Sequence, residues 1–359
     1  MKKKERIFIE IVVGLSLITA AVYFFVGVAV EKESIWSAGR VDVDSGRSVV
    51  MGTFARVIAV AADSNIANRC IEAALAEIKE IDKLMNRYKN DSEISELNRD
   101  GFRRAVRVSK STYEVLQRAI EFSELTYGAF DVTVGPLVDI WHSTRDTSTL
   151  PADAELQQAR SKVSYELLIL DVNEMSVRFA VKGMKLDLGG IAKGYAIDKA
   201  VEAMQKAGAL GAMVEIGGDI RCFGSPPQGQ NRWRIGLQES RAAGENVSTG
   251  RILLVLELVD AAVATSGDYR RFVVIEGKRY SHIIDAKTGY SSDELTSATV
   301  ISKNATEADA LATAVSVMGA EKGLALIETT PETEAVLITS PPNYRLIKTT
   351  AAEKFIVDN

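Results

Sequence analysis

Five strand patterns follow one another between Met213 and Ile301 with no helical pattern between them, and this run most constrains the fold. Each is a short apolar or β-branched segment bounded by turn residues. A doubly wound parallel sheet would place a helix after nearly every strand. The run therefore predicts an α+β fold built on a mixed sheet, with strands at Met213–Ile216, Trp233–Leu237, Ile252–Leu258, Val273–Ile275 and Ser297–Ile301.

Helical patterns lie on both sides of this run, after a predicted strand at Val57–Ala61. Apolar residues at helical spacing and capping residues locate them. Four helices are predicted: Ile66–Met85, a helix opened by a Ser111–Glu114 capping box and ending near Gly128, Tyr195–Ala207 closed by Gly208, and a helix from Asn304 through Met318.

The N-terminus differs in character from the remainder of the 359 residues. Four basic residues within Lys2–Arg6 precede an uncharged apolar run, Ile11–Val30, which is long enough to cross a bilayer. Basic residues before such a run favour a cytoplasmic N-terminus, with the rest of the chain outside. A cleavable signal peptide is the alternative. We therefore expect an anchor or signal segment at 1–30, a polar tether at 31–48 and one domain at 49–359.

Composition restricts the partners and the cysteine chemistry. The net charge of −5 provides no basic footprint for nucleic acid. Cys70 and Cys222 could form a disulfide in an exported chain, or they could be two small buried side chains. Cys70 lies on the apolar face of a predicted helix, which favours burial without a disulfide.

Two glycine pairs stand where strands are expected to end. In K-L-D-L-G-G-I-A-K-G-Y-A-I-D, which begins at Lys185, a predicted strand ends at Leu186 and a helix follows Gly194. Glycines and a helix N-terminus can receive a phosphate, and Lys193 could neutralise it. The same glycines could instead serve only the packing of a strand–turn–helix joint. The second pair, in E-I-G-G-D from Glu215 to Asp219, is by itself typical of an ordinary turn.

The chain has two histidines. His282 lies among Ser281, Asp285 and Thr288, and strand alternation would place His282 and Ile284 on one face. A structural and a catalytic role are both open for it. The other histidine, His142, is expected in a polar loop after Trp141.

One carboxylate is expected inside the last predicted helix. Asp309 and Thr313 are four residues apart, so they share a helix face, and small apolar residues surround them. A buried carboxylate needs a partner. That partner could be a hard cation such as Mg²⁺, which prefers oxygen ligands, or the backbone of a neighbouring turn.

Taken together and in order, these segments resemble the FAD:protein FMN transferase (ApbE) family. The resemblance runs from Met51-Gly52-Thr53 to the helix that ends at Met318. Between them lie N-R-Y at Asn86, D-S-E-I-S-E-L-N at Asp91, A-F-D-V-T-V-G-P-L at Ala129, the two glycine motifs, H-I-I-D at His282 and A-D-A-L-A-T at Ala308. Ala286 departs from the proline that the family usually has after H-I-I-D.

The resemblance implies a T-fold-related flavin transferase domain behind one transmembrane helix, with FAD as substrate and Mg²⁺ as cofactor. By position in the family's motifs, the residues implied to contact FAD are Met51, Tyr88, Ala129, Phe130, Asp131, Asp187, Lys193 and Ile284. Those implied to hold the metal are Gly190, Asp309, Ala312 and Thr313, the glycine and the alanine through backbone carbonyls. His282 is the candidate general base, with Asp268 in reserve.

The implied reaction moves FMN from FAD to a threonine of an exported acceptor, a subunit of a redox complex, and releases AMP. The implied location is the inner membrane, with the catalytic domain on its periplasmic or other extracytoplasmic face. Two alternatives stay open. One is FAD pyrophosphatase activity, in which water replaces the threonine, and the other is FAD binding without catalysis.

Overall fold

The computed structural model describes residues 39–147, 149–239, 251–267, 272–342 and 344–357. The predicted membrane segment, the first part of the predicted tether and Asp268 lie outside these ranges.

Seven helices and sixteen strands are found in the described part of the chain. The helices are α1 (Ser64–Met85), α2 (Glu93–Asp100), α3 (Lys110–Leu125), α4 (Gly135–Thr147), α5 (Asp153–Arg160), α6 (Ala192–Lys206) and α7 (Ala305–Thr329). The strands are β1 (Val41–Val50), β2 (Thr53–Ala61), β3 (Val106–Arg107), β4 (Leu168–Asp171), β5 (Ser176–Phe179), β6 (Gly211–Ile216), β7 (Asp219–Gly224), β8 (Trp233–Gln238), β9 (Ile252–Leu258), β10 (Ala261–Gly267), β11 (Phe272–Ile275), β12 (Lys278–Ser281), β13 (Leu295–Ser302), β14 (Glu334–Thr339), β15 (Leu346–Lys348) and β16 (Ile356–Val357).

One eight-stranded sheet organises the molecule, in the order β1-β2-β6-β7-β10-β13-β14-β15. Every neighbouring pair in it is antiparallel. The predicted α+β class is therefore confirmed, but strand direction within the large sheet is not mixed. Parallel pairing is limited here to an isolated bridge between Val134 and Lys185.

The sheet is covered on both faces. Its alternate residues pack against α1, α6 and α7 in the larger core, for example through Val57, Ile197 and Leu311. The opposite face packs against the small sheet β16-β9-β8, with Trp233 and Leu256 in a second core. Cys70 lies in the first core and Cys222 in the second, and both thiols are free. The interpretation of two buried cysteines is thus confirmed.

Local chemistry sets the element boundaries. Asp63 caps α1 by accepting a hydrogen bond from the Ile66 amide at 2.9 Å, and Asn304 caps α7 through the Glu307 amide at 2.9 Å. The Gly217-Gly218 pair joins β6 to β7 with φ values of 63° and 96°. A two-residue hairpin turn of this kind needs positive φ at both positions, which glycine adopts without strain.

Three predicted boundaries were wrong. Residues 41–48 of the predicted tether belong to β1, which pairs with β2. The cap of α3 is Ser109, whose hydroxyl accepts from the Thr112 amide, so the Ser111–Glu114 pair lies inside the helix. No strand ends at Leu186, since the bridge at Lys185 is the whole of that pairing.

The last helix, α7, is interrupted where its sequence pattern predicted an end. Gly319 leaves helical geometry, with φ of 79° and ψ of −178°, directly after Met318. Among the described residues, α7 is also the one helix long and apolar enough to span a membrane, but half of its most apolar window is buried. Its packing on the sheet identifies it as a core helix.

Candidate active site

A single cavity of about 780 Å³ collects most of the residues singled out in the sequence. Its walls come from the turn between β1 and β2, the segments before α4 and α6, the ends of β10 and β12, and the buried face of α7. The predicted residues on its lining are Met51, Tyr88, Ala129, Phe130, Asp131, Asp187, Gly190, Lys193, His282, Ile284, Asp309 and Thr313. Ala312 is fully buried in α7 and is not part of this lining.

A charged cluster forms the buried part of the cavity wall. The Lys193 ammonium lies between two carboxylates, pairing with Asp219 and, at 3.1 Å, with Asp309. Both carboxylates are nearly inaccessible, with 2% of Asp219 and 3% of Asp309 exposed. Asp309 also accepts a hydrogen bond from the Gly194 amide at 3.0 Å. The buried carboxylate of α7 therefore does cap a neighbouring turn, and its other partner is an ammonium group.

Burial and charge determine the protonation of this cluster. Burial raises the pKa of Asp309 to about 6, with the Lys193 ammonium opposing the rise and the Asp219 carboxylate adding to it. Burial alone would lower the pKa of Lys193, but attraction to Asp219 and Asp309 outweighs it and raises that pKa. Lys193 is therefore cationic, and Asp309 is ionised above about pH 6.

The oxygens around Asp309 fit a hard divalent cation. Thr313 Oγ1 lies 3.3 Å from Ser266 Oγ. The backbone of Gly190 also lies close to Thr313, since a Cβ added at Gly190 would be 2.8 Å from Thr313 Oγ1. The cluster contains two carboxylates, Asp219 and Asp309, and one ammonium group. When all three are ionised, the cluster has one net negative charge, which a bound cation could compensate. No group of three or more His, Cys, Asp or Glu side chains in the described ranges could hold a metal. A bound ion would therefore draw on hydroxyl and backbone oxygens beside the carboxylates.

Asp219 is a residue that sequence reasoning left without a role. It was seen only as the acid that closes E-I-G-G-D. In the structure it begins β7, and its second oxygen accepts from the Thr265 amide at 3.2 Å. A carboxylate directly after a hairpin glycine pair was the available signal, but nothing local indicated that it would meet Lys193.

His282 lies on the exposed side of the same cavity. The predicted alternation around it is wrong, because β12 ends at Ser281 and both Ile283 and Ile284 are buried. The Ile283 amide donates to Ser281 Oγ at 3.1 Å as the chain bends. The bend leaves the imidazole exposed at the cavity, while the two isoleucines are buried.

The second histidine also borders the cavity, contrary to the loop prediction. His142 lies in α4, and its ring stacks on Tyr88 with 6.0 Å between centroids and 8° between planes. Trp141, one residue earlier, anchors α4 by donating from Nε1 to the Gly289 carbonyl at 2.8 Å. The polar sequence after Trp141 hid this helix, since it lacks an apolar period.

Two further acids on the lining are fixed by hydrogen bonds. Asp187 accepts from Arg87 Nη1 and from the Gly189 amide, both at 2.8 Å, which shapes the glycine turn. Asp131 accepts from the Thr133 amide at 2.8 Å and the Tyr165 amide at 2.9 Å. Burial nevertheless raises the pKa of Asp131 above its ordinary value.

The comparisons with known proteins indicate one family. The model of the ApbE family matches residues 51–337. An FAD:protein FMN transferase from Vibrio cholerae is 37% identical over 254 residues, which are 70% of this chain and 74% of the relative. One from Treponema pallidum is 30% identical over 89% of this chain and 92% of its own length.

Solved structures give the same result. The ApbE protein of Thermotoga maritima superposes with a TM-score of 0.78 at 31% identity, over 89% of this chain and 100% of that structure. The flavin transferase ApbE from Vibrio cholerae gives 0.75 at 32% identity, over 88% and 99%. By sequence and by fold, this chain belongs to the ApbE family.

Proposed function

We propose that this chain is an FAD:protein FMN transferase that moves FMN from FAD to a threonine hydroxyl of an exported acceptor and releases AMP. The observation that carries the proposal is the Lys193–Asp219–Asp309 cluster in the wall of a cavity that is also lined by the positions implied by the family's motifs to contact FAD. The transferase names of relatives at 30% identity and above supply the reaction class.

FAD would lie along the cavity lining, with its diphosphate at the charged cluster. Lys193 offers the cation, while Gly190 lets the backbone come close to that group. Asp309 and Thr313, with backbone oxygens of Gly190 and Ala312, would hold Mg²⁺. When bound, the ion supplies positive charge against the diphosphate and the departing AMP.

The acceptor hydroxyl would enter from the exposed side of the cavity, where His282 lies. The threonine oxygen forms a bond to the phosphorus that carries riboflavin. The bond from that phosphorus to the bridging oxygen breaks, and AMP leaves with the electron pair. An imidazole nitrogen of His282 takes the hydroxyl proton. Asp268 is the reserve candidate for this role.

The same proposal includes the location. The uncharged run from Ile11 to Val30 would anchor the chain in the inner membrane, with the domain on the extracytoplasmic face. An exported acceptor would meet the enzyme there.

The test uses the chain without residues 1–30, incubated with FAD, Mg²⁺ and candidate acceptors. Denaturing electrophoresis under flavin fluorescence and intact mass should reveal an acceptor that has gained FMN. The band should require Mg²⁺ and disappear when the acceptor threonine is replaced by alanine. Release of FMN and AMP at one rate with or without each acceptor would instead indicate a pyrophosphatase, and FAD binding without AMP release would indicate a storage protein.

A further inference from the structure

One buried carboxylate outside the cavity joins the three elements that carry the charged cluster. Asp198 lies in α6 with 8% of its surface exposed, and it is not among the residues that line the cavity. Four donors converge on its two oxygens, and they come from α7 and β7. A buried carboxylate with this many partners is strongly oriented, because every lone pair it offers has a donor.

The first set of donors is the N-terminus of α7. The Ala305 amide donates to Asp198 Oδ1 and the Thr306 amide to Oδ2, each at 2.9 Å, while Thr306 Oγ1 donates to Oδ2 at 2.5 Å. The side chain of the capping residue Asn304 accepts from the Glu307 amide. Asp198 thus satisfies two helix-terminal amides that would otherwise need water, and its charge is favourable at the positive end of the helix.

The remaining donor is a strand residue. Arg221 Nη1 donates to Asp198 Oδ1 at 2.7 Å. Arg221 lies in β7, two residues after Asp219. One carboxylate therefore fixes α6, α7 and β7 to one another through direct bonds.

Each of the elements α6, α7 and β7 also carries one member of the charged cluster. That member lies a few residues along the chain from Asp198 or from a residue that is bonded to Asp198. Lys193 lies in α6 five residues before Asp198, Asp219 begins β7, and Asp309 lies one helical turn beyond Ala305 and Thr306. The short pairings of Lys193 with both acids depend on how these three elements sit against each other.

We propose that Asp198 is a positioning residue, which holds Lys193, Asp219 and Asp309 at the separations that the FAD diphosphate requires. It makes no hydrogen bond or ion pair with these three side chains and acts through the backbones that bear them. This inference rests on the proposed function, because it assigns the cluster to the diphosphate.

The test compares Asp198→Asn with Glu334→Gln. Asparagine keeps the size of the side chain but turns an NH₂ group toward donors, so two of the four bonds are lost. Glu334 is a buried carboxylate of β14 that accepts from Thr349 Oγ1 at 2.5 Å and Lys354 Nζ at 3.2 Å, and the cavity lining does not include it. It is a matched control for the loss of a buried acid as such.

The expected result is a selective defect. Asp198→Asn should lower kcat for FMN transfer by about 10- to 100-fold, since small displacements of reacting groups are costly. It should weaken binding of FAD but not of riboflavin, which lacks the diphosphate, as followed by flavin fluorescence. Glu334→Gln should change neither, at a comparable loss of unfolding free energy measured in urea.

A milder variant keeps the test decisive if Asp198→Asn does not fold. Thr306→Val removes one donor and keeps the carboxylate, so it should show a smaller defect with the same preference for FAD over riboflavin. The proposal would be overturned if the Asp198, Thr306 and Glu334 variants, compared at equal stability, had the same transfer rate and the same affinities for FAD and riboflavin. A wild-type chain that binds FAD but flavinylates no acceptor would count against the proposed function alone, because the comparison of FAD with riboflavin binding stands without transfer.

Discussion

Gly194→Ala should leave the protein folded and remove most of its transferase activity. Gly194 lies in the first turn of α6, against the N-terminus of α7. A Cβ at this position would be 2.2 Å from the carbonyl oxygen of Ala305, 2.6 Å from its carbonyl carbon and 2.9 Å from Cβ of Asp309. Carbon atoms in contact are normally about 3.5–4.0 Å apart, so the two helices must separate by roughly 1 Å. Asp309 would move with α7, away from Lys193 and from the Gly194 amide.

The magnitudes separate stability from activity. Overpacking costs about 1–3 kcal/mol, and alanine recovers about 1 kcal/mol of helix propensity relative to glycine. The net loss of unfolding free energy is therefore about 0–2 kcal/mol. A displacement of about 1 Å at reacting groups can reduce a rate by about 100-fold.

The assay measures FMN transfer at saturating FAD and Mg²⁺ beside the melting temperature. Gly323→Ala is the control, because its Cβ would lie 2.7 Å from Val315 Cγ1, within the core side of α7. It should lose similar stability and keep its rate. A Gly194→Ala enzyme that transfers FMN as fast as the Gly323→Ala enzyme would refute the reasoning.

Three further predictions concern the candidate base, the buried carboxylate and the membrane topology. His282→Ala should slow transfer by about 10²–10⁴-fold and still bind FAD, as single-turnover kinetics and fluorescence titration would show; an unchanged rate would remove His282 as the base. Since burial raises the pKa of Asp309 to about 6 in the metal-free protein, protons should compete with Mg²⁺ for this carboxylate, so acidification through that value should raise the Mg²⁺ concentration needed for half-maximal activity. Asp309→Asn should be inactive throughout, and a Mg²⁺ requirement that stays constant between about pH 5 and 8 would contradict the assignment. A reporter that works only outside the cytoplasm should be active when fused after Asn359, and activity of a cytoplasm-only reporter would reverse the topology.

Elements governed by local rules could be predicted from the sequence. β9 was predicted with its observed bounds, and the helix predicted from Asn304 does begin there, with Asn304 as the cap of α7. α4 was missed because its second half is polar on all sides and is held by tertiary contacts such as that of Trp141. Hydrophobic periodicity reports only which faces of a segment are apolar. It therefore does not identify a helix that is stabilised mainly by contacts with neighbouring elements.

The candidate site likewise combines local sequence patterns, which could be predicted, with contacts between distant segments, which could not. The glycine pairs, His282 and the Asp309–Thr313 face are local patterns, and each was visible in the sequence. The ion pairs of Lys193 span 26 residues to Asp219 and 116 residues to Asp309. Only the sheet order brings these segments together, because β7 and β10 are neighbours at its centre, α6 packs over β6 and β7, and α7 packs over β10 and β13.

Burial divides the cavity into two chemical parts. Asp219 and Asp309 are almost completely shielded from solvent, so the attraction of a cation or an ammonium to a diphosphate is strong there. His282 is exposed, and a base that serves a protein hydroxyl must be exposed, because a folded acceptor cannot insert a threonine into a closed core. The proposed transferase needs both environments within one cavity. Shielding lets the enzyme activate the diphosphate, and exposure lets the acceptor reach it.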